Sequence, residues 1–109
     1  MIGVRLYLAQ RLSALVMAPL MIGHLAVMIY AVQNGLSAEE ILSRTQGSLW
    51  WGAFYGLFVI AVSIHAAIGV RAVVYETAGL PERILNPLTW AIGVSLFVMG
   101  GRAVAGVVL

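Results

Sequence analysis

The segment from Thr45 to Val70 contains no charged residue, and neither does the segment from Leu12 to Val32. A helix needs about 20 predominantly apolar residues to cross the hydrocarbon of a bilayer, and a third stretch, Ile84 to Gly101, also approaches that length. Inside lipid every backbone N–H and C=O must find a partner within the protein, so each stretch is expected to be an α-helix. Composition agrees: 62% of the 109 residues are hydrophobic and 9% charged, whereas soluble domains carry about 25% charged residues. A chain this short has too little interior to hide so much apolar surface from water. The expected fold is an all-α membrane protein, a single domain over residues 1–109, with three transmembrane helices at about 4–33, 47–78 and 86–108 forming an up-down-up bundle.

The connections are marked by their own residues. Gln33-Asn34-Gly35 is a helix stop, and Ser37-Ala38-Glu39-Glu40 follows it, with Ser37 placed to cap and Glu40 to answer in a capping box. A short surface helix is expected in this first loop. The second span ends at Gly79-Leu80-Pro81, and the third is expected to open at Asn86-Pro87, a cap residue followed by proline at the first helical position. Pro19 lies inside the first span and should kink it by removing one backbone hydrogen bond.

The net charge of +2 comes from six arginines and no lysine against four acids, too sparse for a phosphate-binding stripe, so no nucleic acid partner is expected. The chain has no cysteine, which excludes a disulfide, a thiolate metal site or an iron-sulfur cluster held by its own residues. Arg11 interrupts the apolar start, and the run after it is too long for a signal peptide, so a mature chain is expected. Arg5, Arg11, Arg71 and Arg83 fall on one side of the expected bundle and Arg44 and Arg102 on the other, which favours an N-terminus inside and a C-terminus outside.

Ionisable groups are expensive within a bilayer, so His24 and His65, each in the middle of a span, are the first candidates for function. His24 follows Arg11 by about 20 Å of helix and His65 precedes Arg71 by about 9 Å. If both arginines mark one interface, the imidazoles differ in depth by roughly 10 Å, which is poorly suited to sharing one upright haem. Ala61 and Gly69 lie one turn either side of His65 and Ala72 two turns below, leaving a slot for a flat macrocycle. The same small residues also suit close helix packing, and a lone membrane histidine can simply hydrogen-bond a neighbouring helix. His24 has Leu20, Met21, Val27 and Met28 around it, an apolar wall that serves lipid, helix or haem equally well. Both readings stay open for each histidine.

Arg102 falls inside the last apolar stretch and either snorkels to the interface or meets an anion such as a haem propionate. Arg11, Ser13, Arg71 and Glu76 gather donors and one acceptor on the N-terminal side, enough to orient a quinone headgroup or, more simply, to anchor the interface with an Arg71–Glu76 pair. All four acids, Glu39, Glu40, Glu76 and Glu82, lie outside the spans, which argues against a proton-coupled exporter.

At these residues the chain resembles the cytochrome b membrane-anchor subunits of succinate dehydrogenase and fumarate reductase. His65-Ala66-Ala67-Ile68-Gly69-Val70-Arg71, with Glu76 beyond, is similar to the family's second-helix pattern of haem-ligating histidine, glycine, arginine and acid. Gln10-Arg11-Leu12-Ser13-Ala14 is similar to the His-Arg-x-Ser-Gly entry to the first helix, whose arginine lines the quinone site and approaches a haem propionate. Glutamine here replaces the histidine and alanine the glycine, and Tyr7 stands where some relatives have a quinone-contacting serine. His24 is similar to the first-helix histidine of two-haem members.

The resemblance implies a subunit with no complete active site of its own. It implies haem b, one or two shared with a partner chain, held by His65 and His24, and quinone as substrate near Arg11, Ser13 and Arg71. The implied partners are a second membrane-anchor subunit, an iron-sulfur subunit and a flavoprotein that oxidises succinate or reduces fumarate. The implied location is the inner (plasma) membrane.

Overall fold

The computed structural model describes residues 3–109, which form four helices: α1 (Val4–Asn34), α2 (Ala38–Thr45), α3 (Leu49–Ala78) and α4 (Glu82–Val108). Helices α1, α3 and α4 are long and apolar enough to cross a membrane, and α2 is the short helix expected in the first loop. The molecule measures 48 × 22 × 22 Å. The long dimension matches a helix of about 30 residues at 1.5 Å per residue.

α3 runs between α1 and α4, which pack chiefly on it. Its sequence suits that central place. Ala61, Ala67 and Ile68 are buried, and small side chains let the neighbouring backbones approach. On one side a Cβ built on Gly93 of α4 would stand 3.4 Å from the Ala67 Cβ, and Gly100 is pressed still closer to Val59. On the other side Gly23 of α1 lies against the Phe54 ring and Gly69 of α3 against the Gln10 amide. These two contacts set an antiparallel register in which Gln10 faces Gly69 and Gly23 faces Phe54.

The ends are closed by identifiable groups. Ser37 Oγ accepts from Glu40 N at 3.1 Å, capping α2, while the Glu40 carboxylate lies over Gly35 instead of turning back to complete the box. Gly79 ends α3 in the left-handed region at φ 62°, with its N–H on Tyr75 O at 2.9 Å, a conformation glycine adopts without steric cost. The last carbonyls of α4 have no partner within the helix. They are met by the end of α2 and the loop after it: Thr45 Oγ1 donates to Val107 O at 2.6 Å, Gly47 N to Val108 O at 2.6 Å and Gln46 Nε2 to Leu109 O at 3.2 Å. The surface helix is therefore a clasp on the end of α4.

The third span departs from expectation at its start. It begins at Glu82, with Pro81 in the cap position, so Asn86 and Pro87 lie inside the helix. Pro87 leaves the Arg83 carbonyl without its helical partner, and proline inside a helix costs about 3 kcal/mol. The extra turn places Leu85 against α3 at 2% exposure, and burying a leucine side chain is worth about 1.5–3 kcal/mol. The burial of Leu85, with the hydrogen bonds that Asn86 and Thr89 accept from Arg71, offsets that cost, and the helix extends.

Candidate functional site

The two histidines occupy different layers of the α1–α3 interface. His24, on α1, packs across Phe58 at 5.3 Å between ring centroids and edge-on to Tyr55 at 5.9 Å. It lines a cavity of about 560 Å³ at the α2 end, together with Tyr30, Arg44, Trp51 and Tyr55. His65, on α3, lies one turn from the layer in which Gln10 meets Gly69. The register separates the two imidazoles by about 15 Å along the bundle, more than the arginine markers suggested. The reason is that Arg11 and Arg71 are not level: Arg11 stands opposite the Ala67 layer, and Arg71 is about one turn nearer the end of the bundle.

Both rings are half-buried, and in both the Nδ1 atom is enclosed without a hydrogen-bond partner. Gln10 Oε1 is enclosed and unpartnered in the same way. An orphaned buried nitrogen costs about 1–3 kcal/mol. Two such costs, both on mid-span histidines, are unusual for side chains that serve packing alone. The enclosed Nδ1 cannot itself reach an iron, but the other ring nitrogen, Nε2, is not enclosed in either histidine, and imidazole nitrogen is an established haem-iron ligand, so a haem approaching from outside the chain would find a donor at each layer. The slot expected beside His65 is largely used by the protein itself: Ala61 is 3% exposed and Gly69 faces Gln10. A macrocycle on His65 would have to lie outward of these residues, against a further chain. Among the described residues no group of three or more histidine, cysteine, aspartate or glutamate side chains could hold a bare metal ion.

The four residues grouped for a quinone headgroup do not converge within this chain. Arg11 is exposed, its guanidinium 5.8 Å from the Tyr7 ring centroid, beside a shallow recess it shares with Leu12, Ala14 and Leu15. Ser13 is buried against α3 and donates to its own helix at Gln10 O, 3.0 Å away. Arg71 turns to α4, where Nη1 donates to Asn86 Oδ1 at 2.7 Å and Thr89 Oγ1 at 3.3 Å, not to Glu76, which is exposed. Arg102 is exposed on α4.

Three residues with structural weight escaped the sequence reading. Asn86 was read as a cap and is a partner of Arg71. Thr89, three residues further on the same helical face, completes that contact, and the shared face was a usable signal. Arg44, treated only as an orientation marker, donates to Gly35 O at 2.9 Å and lies over Tyr30 at 5.3 Å, joining α2 to the end of α1.

No curated protein and no solved structure matches the chain. The family described as the succinate dehydrogenase/fumarate reductase transmembrane subunit matches residues 1–102, which takes in α1, α2, α3 and most of α4. Three apolar helices with mid-span imidazoles and this near-complete match lead to one conclusion: the chain is a multi-pass membrane protein belonging to the succinate dehydrogenase/fumarate reductase transmembrane subunit family.

Proposed function

We propose that this chain is the haem b-carrying anchor of a succinate:quinone oxidoreductase-type complex, passing electrons between an iron-sulfur subunit and membrane quinone. The observation that carries the reading is the pair of half-buried mid-span imidazoles, each with Nε2 outside the protein's own enclosure, in a chain of this family. Haem, when bound, supplies a one-electron store whose potential the protein tunes through ligation, burial and hydrogen bonding. His65 would hold it in the layer nearer the N-terminal end, and His24 would hold a second in the layer nearer α2. Each histidine would be matched by a histidine of a second membrane-anchor subunit, because the register keeps His24 and His65 too far apart for one iron.

Arg11, exposed at the N-terminal end, is free to present its planar fork to a quinone carbonyl beside the iron-sulfur subunit. Ser13 is engaged within its own helix, donating to Gln10 O, and would turn to a quinone only by giving up that bond. Arg102, exposed near the opposite end, is placed for the interface or for a propionate on the His24 side. The flavoprotein partner would carry the succinate or fumarate chemistry, and this chain has no active site for it. The arginine bias supports an N-terminus on the inside, and a quinone-linked respiratory role would place the chain in the inner (plasma) membrane.

The test is an absorption spectrum of the dithionite-reduced, intact complex. His65→Ala is expected to remove one b-type signal and His24→Ala another, while the flavin and iron-sulfur signals persist. Spectra unchanged by His65→Ala would refute the assignment. A haem-free anchor is the second reading, favoured by the use of Ala61 and Gly69 in helix packing. A wild-type complex without a Soret band would establish it.

A further inference from the structure

Among the described residues Arg71 is the one buried charge, 7% exposed. Its Nη1 reaches two neutral oxygens, Asn86 Oδ1 at 2.7 Å and Thr89 Oγ1 at 3.3 Å. The hydroxyl of Thr89 is itself committed to Leu85 O at 2.7 Å. The acids at this end of the molecule, Glu76 and Glu82, are exposed. A guanidinium carries five N–H donors, and a buried charge without a counter-ion is costly, so this site is incomplete without an anion.

Two recesses meet at Arg71. On the membrane side a groove of about 420 Å³ runs between α3 and α4, bordered by Ile64, Ile68, Trp90, Val94 and Phe97 and polar only near Arg71, Asn86 and Thr89 and at Ser63. On the other side a pocket of about 340 Å³ opens under the α3–α4 turn, bordered by Tyr75, Leu80, Pro81 and Glu82. Helix α3 is about 45 Å long, the thickness of a bilayer with its headgroups, and Arg71 lies about 10 Å from the helix end at Ala78. That is the level at which hydrocarbon gives way to headgroups. The geometry combines an apolar trough with a cation at its polar mouth.

We propose that this site binds an anionic phospholipid, with its phosphodiester on the Arg71 guanidinium and one acyl chain along the α3–α4 groove. A planar guanidinium pairs with phosphate oxygens bidentately, which a neutral quinone carbonyl cannot reproduce and which supplies the missing counter-charge. A propionate of a haem held on His65 is a poor alternative, because six residues of helix place Arg71 about 120° around α3 from His65. The inference does not depend on the haem or quinone readings. Its physical role would be to seal the α3–α4 groove with a resident lipid.

The experiment uses the intact complex, extracted in mild detergent, delipidated and re-equilibrated with phosphatidylglycerol or phosphatidylcholine, with retained lipids counted by native mass spectrometry. The unmodified complex is expected to retain one more phosphatidylglycerol than the Arg71→Gln complex, and to prefer it to phosphatidylcholine by roughly tenfold, because phosphatidylcholine offers the same phosphodiester but brings a choline cation beside the Arg71 guanidinium. Ile64→Trp, which fills the groove and leaves Arg71 with its hydrogen bonds, is expected to lose the same lipid. It decides the matter alone if Arg71→Gln does not assemble. Equal phosphatidylglycerol counts in the unmodified and Ile64→Trp complexes would overturn the proposal. So would equal retention of the two lipids, or a quinone retained in an Arg71-dependent way that phosphatidylglycerol does not displace.

Discussion

At Thr45 a single hydroxyl proton faces two carbonyls, Ile41 O at 3.1 Å within its own helix and Val107 O at 2.6 Å on α4. The shorter contact takes the proton, because α4 ends there with carbonyls that no helix N–H can reach. Thr45→Val keeps the shape and removes the donor, leaving the half-buried Val107 carbonyl with no partner. The expected loss is about 1–2 kcal/mol, seen as a fall of a few degrees in the melting temperature of the purified complex, while Thr45→Ser keeps the donor and should lose only about 0.8 kcal/mol, that of its buried methyl. Gln10 presents the opposite case. Its Oε1 is enclosed without a partner, so Gln10→Leu exchanges an unsatisfied acceptor for an apolar group of similar size. That exchange is expected to leave the melting temperature unchanged or to raise it, by up to about 1–3 kcal/mol of removed penalty. A marked fall would mean that a partner chain supplies the missing donor. Ser37 and the two histidines were legible in the sequence because their chemistry is local or costly wherever it occurs. The partners of Arg71 were not, since they depend on where α4 begins.

At the scale of the helices, the closest approach is between α3 and α4. A Cβ on Gly100 would come within 2.6 Å of Val59 Cγ1, whereas a Cβ on the adjacent Gly101 meets nothing within 4 Å. Gly100→Val is therefore expected to force the helices apart, at about 1–3 kcal/mol, with less assembled complex recovered on size-exclusion chromatography. Gly101→Ala is expected to assemble normally, and its removal of a flexible glycine from a helix gives up to about 1 kcal/mol in the other direction. Equal assembly of the two variants would refute the close contact of Gly100 with Val59. The extra turn of α4 belongs to this scale too. Asn-Pro is a sound helix-start signal, but the helix begins a turn earlier, with Leu85 buried and Asn86 bonded to Arg71.

For the whole molecule, burial is unevenly shared. Only 6% of the most apolar window of α1 and 0% of that of α4 is enclosed by this chain, against 28% for α3. The two outer helices thus meet lipid or another protein over most of their surface, as expected of a transmembrane subunit of a larger complex. Lipid tolerates exposed Leu15, Ile22 and Trp90, but it does not satisfy imidazole nitrogen. Co-expression with a second anchor subunit and the iron-sulfur and flavoprotein subunits is expected to raise the recovered amount of this chain several-fold over expression alone. Quantitative immunoblotting of the membrane fraction measures it. Equal recovery would indicate a self-sufficient bundle.

The sequence by itself determined the solvent, the number of crossings, the short helix between the first two, and the two polar side chains that lipid makes expensive. These follow from local physics: hydropathy over about 20 residues, cap chemistry, and the cost of an ionisable group in hydrocarbon. Tertiary structure alone decided the rest. It placed α3 between the others, separated the histidines by half a bilayer core, turned Arg71 away from Glu76 towards Asn86 and Thr89, and used the end of α2 and the loop after it to close α4. Each of these depends on the register between helices, which is set by where small residues let two backbones meet. That quantity belongs to pairs of segments, and no single segment encodes it.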